Sequence, residues 1–215
     1  MSRDGVASGG VRDSRDQRES AFSVILTDLV GRVAGARAAA LVDSEGETVD
    51  YAGSADPFAI RVTAAHWRIV LDQARTQAAF GGARMVAVRS ERRSYLVHAL
   101  PDGYALVVIL ARGSSVLGHA RAIAACMHRL TDEAGWQAPA DVWTAIDVRG
   151  DRSGRPVSLR VRGATRFVEV LGAVVGGLGR GERAWRVRLL SGQEVLLVRE
   201  RRGRRGYWYA DQAVS

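Results

Sequence analysis

The sequence predicts an α+β fold: a five-stranded antiparallel sheet with helices on both faces, followed by a small all-β barrel or meander. Three observations carry this. Apolar residues recur at helical spacing in three segments before residue 134. The runs "ALVD" and "YALVVILA" are apolar on both faces, as strands covered from both sides are. Beyond residue 141 the period changes to two and glycine turns recur, the pattern of a small β-domain.

The elements follow in order. Phe22, Ile25, Leu26, Leu29, Val30 and Val33 line one face of a helix of about 14 residues that Gly35 stops. Two strands come next in "RAAALVDSEGETVDYAG", joined by the acidic turn Asp43–Gly46, where Gly46 takes a positive φ. Asp56 before Pro57 is an N-cap followed by proline at the first helical position, and the helix they open runs to about Phe80. Gly81 and Gly82 break it. Strands "ARMVAVRS", "RSYLVHAL" and "YALVVILA" follow, the last two joined by the turn "PDG". Ser114 and Ser115 are placed to cap a last helix from Val116 to about Glu133.

The expected organisation is a disordered leader over 1–20, a first domain over 21–136, a linker over 137–141 and a small basic all-β domain over 142–215. The leader has balanced charges, glycines and serines, and no apolar run that would make it a secretory signal. In the last domain Val157, Leu159 and Val161 oppose Ser158, Arg160 and Arg162, and Trp185, Val187 and Leu189 oppose Arg186 and Arg188. In "GYWYAD" Trp208 and the two tyrosines take opposite faces, with either face able to be the core.

The central helix carries two apolar stripes. Ile60, Ala64, Trp67, Leu71, Ala74 and Ala78 form one; Phe58, Val62, Ala65, Ile69 and Phe80 form the other, on the opposite side. Arg61, Arg68, Asp72 and Arg75 separate them on one flank, and His66, Gln73 and Gln77 on the other. A surface helix of a monomer buries one stripe, so the second implies another element or, as we favour, another subunit.

The chain carries a net charge of +8. All of its basic residues are arginine; there is no lysine and no asparagine. Such usage is that of a GC-rich genome, which accounts for part of the arginine excess. The charge is concentrated in residues 137–215, with 15 basic and 8 acidic groups. Without lysine the chain cannot form a phosphate-binding P-loop of its own. "GGLGRGER" lacks the dinucleotide glycine spacing and reads as a loop. Cys126 and His128 diverge on their helix, His66 and His98 are isolated, and Asp43, Glu45, Glu47 and Asp50 read as a solvated turn. A single cysteine fits a reducing compartment, and no apolar run is long enough to span a bilayer. The expectation is a cytoplasmic protein that is not an enzyme and holds no cofactor or metal.

The order α-β-β-α-β-β-β-α over residues 21–134 resembles the roadblock/dynein light chain family. So do "GARAAALVDSEGETVDYAG" after the first helix, the long central helix, and "YALVVILARGSSVLGHAR" leading into the last. The resemblance implies dimers made by pairing third strands and central helices, which would cover Phe58, Val62, Ala65, Ile69 and Phe80. For bacterial members it implies a small Ras-like GTPase as partner, regulated through its switch loops or by a supplied arginine. Two other readings stand beside this one: a dimeric scaffold indifferent to nucleotide, and a nucleic-acid-associated protein. The third would place Arg160, Arg162, Arg186, Arg188, Arg204 and Arg205 along a phosphate backbone. The β-domain is similar to small all-β modules of bacterial proteins, a likeness that brings no activity with it.

Overall fold

The computed structural model describes residues 18–80, 82–115, 117–137, 143–161, 163–175, 178, 181–202, 205–212 and 214, without the side chains of Phe80, Leu117 and Arg202. Its first half is one antiparallel sheet. The strands are β1 (Ala36–Val42), β2 (Thr48–Gly53), β3 (Met85–Arg89), β4 (Arg93–Ala99) and β5 (Ala105–Ala111), in the order β2-β1-β5-β4-β3. β1 and β5 are interior strands covered on both faces. Ala105, Val107 and Ile109 pack under helix α2 (Pro57–Thr76), while Leu106, Val108 and Leu110 pack under α1 (Ala21–Arg32) and α3 (Ala120–Glu133). This is the fold class predicted from the sequence, and its helical layers explain why "ALVD" and "YALVVILA" lack a polar face.

The helix ends differ in detail from the periodicity. α1 begins at a capping box: Ser20 Oγ accepts from Ser23 N at 3.2 Å, and Ser23 Oγ accepts from Ser20 N at 2.8 Å. Ser20 also bonds the carboxylate of Asp50, which is buried on β2. Ser20, counted with the leader by composition, is therefore the start of the fold, and Asp50 belongs to the core and not to a solvated turn. α1 has 12 residues because Val33 turns extended. α2 ends at Thr76, and residues Ala78–Phe80 form a separate 3-10 turn. α3 starts later than its apolar pattern, at Ala120, because Ser115 Oγ accepts from Gly118 N at 3.2 Å and caps a 3-10 turn over Leu117–His119.

At its other end α3 closes with Trp136 N donating to Thr131 O (2.9 Å) and Gly135 N to Asp132 O (3.1 Å). Gly135 takes φ +70°, so the pair forms a Schellman cap, and Trp136 stacks on Tyr104 with ring centroids 4.6 Å apart. The "GWQAPAD" segment thus opens as a helix cap; residues 138–142 lie outside the described residues.

The second half settles the choice between barrel and meander. β6 (Thr144–Gly150), β7 (Pro156–Val161), β8 (Ala164–Val174), β9 (Glu182–Leu189), β10 (Glu194–Arg202) and β11 (Arg205–Ala210) pair in chain order, and β11 closes on β6. It is a closed, six-stranded, up-and-down barrel. Ile146, Leu159, Trp185, Val187, Leu189, Val195, Leu197 and Trp208 fill it. The alternation in "WRVRL" places Trp185, Val187 and Leu189 inside and Arg186 and Arg188 in water, as predicted.

The sequence pattern did not predict the barrel's seat on α1 and α3. Tyr209 is fully buried in the cluster that contains Leu26, Leu29, Ile123 and Leu130, with Tyr207, Trp143 and Ala145 at its margin. Arg121 of α3 bonds Glu182 (2.6 Å) and Glu200 (3.3 Å), and its guanidinium lies 4.8 Å from the centre of the Trp143 ring. Even so, the sheet and both helical layers are complete within 21–133. We expect residues 1–136 alone to keep their helix content by circular dichroism. Removal of Tyr209 and its neighbours should lower stability by a few kcal/mol. A fragment without a cooperative thermal transition would mean that the barrel completes the first core.

Burial on β4 pushes His98 from 6.5 down to about 4. The folded state resists protonation there, so His98's contribution is complete above pH 6.5 and is lost as pH falls from 6.5 through 4. The loss is on the order of 3 kcal/mol at most. Urea denaturation at pH 7, 5 and 4 should show this slope in the parent chain, and a flatter one in His98→Gln. Parallel profiles would contradict it.

Candidate functional site

Asp56 accepts from Ala59 N at 2.8 Å and Pro57 opens α2, as its sequence requires. One side of the helix is core: Ile60, Ala64 and Leu71 are fully buried against the sheet. Trp67 is only half-buried, its ring 4.7 Å from that of Tyr95. Arg68, placed by spacing on a polar flank, is instead buried. Its Nε and Nη2 donate to Gly103 O at 3.0 and 2.7 Å, and it pairs with Asp72. The "PDG" turn creates this anchor, since Gly103 at φ +79° brings its carbonyl to the helix. A long-range contact of that kind leaves no mark in helical periodicity.

The opposite side of α2 is open. Phe58 is 72%, Val62 53% and Ile69 54% exposed, with Ala65 half-buried among them. The structure brings these four into one row; the Phe80 side chain lies outside the described residues. β3 lies beside α2 as the free edge of the sheet, with Met85 42% exposed. An apolar helix row thus lies next to an unpaired strand edge, two features that partner surfaces share.

The arginines proposed for anion contact are spread over several strands of the barrel. Arg160, Arg186 and Arg205 are exposed on β7, β9 and β11. Arg188 is committed to Glu169 (3.2 Å) and Glu194 (2.9 Å). Arg162 and Arg204 lie outside the described residues. The aromatics of "GYWYAD" are also taken up. Trp208 points into the barrel against Trp185, with centroids 5.3 Å apart, and Tyr207 Oη donates to Gly31 O of α1 at 2.9 Å. Arg32 lies 5.2 and 5.7 Å from the Tyr207 and Tyr209 ring centres. Tyr209 is fully buried, and Tyr207 is half-buried against α1.

Other groups offer little chemistry. Burial pushes the Cys126 thiol up to about 12, so it holds its proton. Asp43 Oδ1 accepts from Glu45 N and Glu47 N, both at 2.9 Å, and so shapes its own turn. Among the described residues no cluster of histidine, cysteine and carboxylate groups suits a metal ion, and no helix is long and apolar enough to cross a membrane.

No known family profile matches the chain, and no curated protein matches it. Among solved structures it is similar to a Roadblock/LC7 domain from Streptomyces avermitilis, at 19% identity over 53% of this chain and 97% of that one, TM-score 0.46. Myxococcus xanthus MglB matches at 16% identity over 55% of this chain and 98% of that one, TM-score 0.47. The gliding protein MglB from Thermus thermophilus matches at 16% identity over 54% of this chain and 89% of that one, TM-score 0.47. The sheet half of the chain has a roadblock-like fold. It shows in the element order α-β-β-α-β-β-β-α and the sheet order β2-β1-β5-β4-β3.

Proposed function

We propose that the chain is a homodimeric, non-enzymatic partner or regulator of a small Ras-like GTPase in the cytoplasm. The observation that carries the dimer is the exposed row Phe58, Val62 and Ile69 beside the open edge of β3. Full burial of such a side chain from water contributes about 1.5–3 kcal/mol, of which an interface would add the part still exposed, and a two-fold axis applies that gain twice. The choice of a GTPase rests on the roadblock resemblance in the sequence. The chain acts on the partner's nucleotide turnover by ordering its switch loops, because without lysine it has no P-loop of its own.

A pull-down with the GTPase loaded with GDP or with a GTP analogue tests this. One nucleotide state should bind at least about tenfold better, a coupling of about 1.4 kcal/mol. Equal binding in both states would leave a dimeric scaffold as the better reading.

A further inference from the structure

The arginine-rich stretch that starts at Arg199 has a feature that a solvated hairpin does not need. β11 pairs with β6 only from Trp208 opposite Ile146 to Ala210 opposite Thr144. Beyond Ile146 and before Trp208 the two strands part, leaving a cleft of about 560 Å³ lined by Asp147, Arg149, Ser158, Arg160, Arg199 and Trp208. Arg199 also lines a second cleft, about 470 Å³, around the β6–β7 turn. It stands at the junction of the two.

Arg199 is held there by construction. Its guanidinium lies 5.8 Å from the centre of the Trp208 ring. A Cβ added at Gly154 would come within 2.8 Å of its Nη1, and one added at Gly206 within 2.9 Å of its Nε, so two glycines make its berth. Yet Nε is buried with no hydrogen-bond partner, and no carboxylate pairs with Arg199, Arg149 or Arg160 among the described residues. An unmet buried donor costs free energy that stacking on an indole only partly offsets. With Nε walled in by Gly206, what a guanidinium in this berth offers an oxyanion is its terminal Nη groups. Among the described residues Asp147 is the one carboxylate lining the β6–β11 cleft, against the unpaired guanidiniums of Arg149, Arg160 and Arg199, so the cleft favours an anion.

We propose that this cleft binds a phosphate-bearing small molecule, its phosphate held by Arg199 with Arg149 and Arg160 at the rim. The volume is that of a pocket for a nucleotide-sized ligand. A nucleic-acid strand fits less well, because Tyr209 is fully buried and Tyr207 Oη is tied to Gly31 O of α1.

Inorganic pyrophosphate titrated calorimetrically into the full chain tests the site. Saturable binding at one site per chain is expected, weakened about tenfold by Arg199→Gln and by Arg160→Gln. Arg186→Gln removes an equally exposed charge on β9, outside the cleft, and should leave the affinity unchanged. Arg160→Gln, on the surface, keeps the test decisive if Arg199→Gln disturbs the barrel. Three results would overturn the proposal: no saturation at millimolar pyrophosphate, an equal loss in Arg186→Gln, or binding of a thymidine oligonucleotide where pyrophosphate fails.

Discussion

Leu71→Asp is expected to abolish the cooperative unfolding transition of the sheet half. Leu71 is fully buried on α2 in the cluster formed by Ile60, Ala64, Val97, Val107 and Ile109. Truncating such a side chain costs about 2–5 kcal/mol, and forcing a carboxylate into the same apolar site adds a penalty of several more. The sum reaches the net stability of about 5–15 kcal/mol typical of a domain. Circular dichroism melts would show it as loss of the transition; a retained, sharp transition would mean that α2 is not sealed to the sheet there. Trp67 makes a weaker disruption site, although it shares the stripe, because part of its ring reaches water beside Tyr95.

Ile69→Asp, only two residues away, is expected to do the opposite. Ile69 is 54% exposed, so in a lone subunit an aspartate there should change stability by no more than about 0.5 kcal/mol. In a dimer closed through α2 it puts a carboxylate into a desolvated interface twice, near the symmetry axis. Each such burial costs several kcal/mol unless the group protonates, more than the apolar contact it replaces contributes. The fold should survive and the dimer should not. The contrast between positions 69 and 71 is what separates an interface stripe from a core stripe.

Much of this was legible in the sequence because it is local or periodic. Both stripes of α2, the Asp56–Pro57 start, the Gly46 turn and the in–out alternation of "WRVRL" follow from spacing alone. What escaped depends on contacts between segments far apart in the chain. Arg68 reaches a carbonyl 35 residues away. Asp50 joins the cap of α1, and Tyr209 fills the space above α1 and α3. Periodicity reports which side of an element is apolar, but not which element covers it, so the barrel's seat on the helices was hidden. Arg199 escaped for a related reason: in a run of arginines nothing marks the one that is boxed in by Gly154, Gly206 and Trp208.

Sedimentation equilibrium of the parent chain and of Ile69→Asp tests α2 as the subunit interface most directly. The parent should sediment as a dimer, and Ile69→Asp as a monomer with an unchanged circular dichroism spectrum. A monomeric parent, or a mutant that dimerises as tightly as the parent, would contradict it.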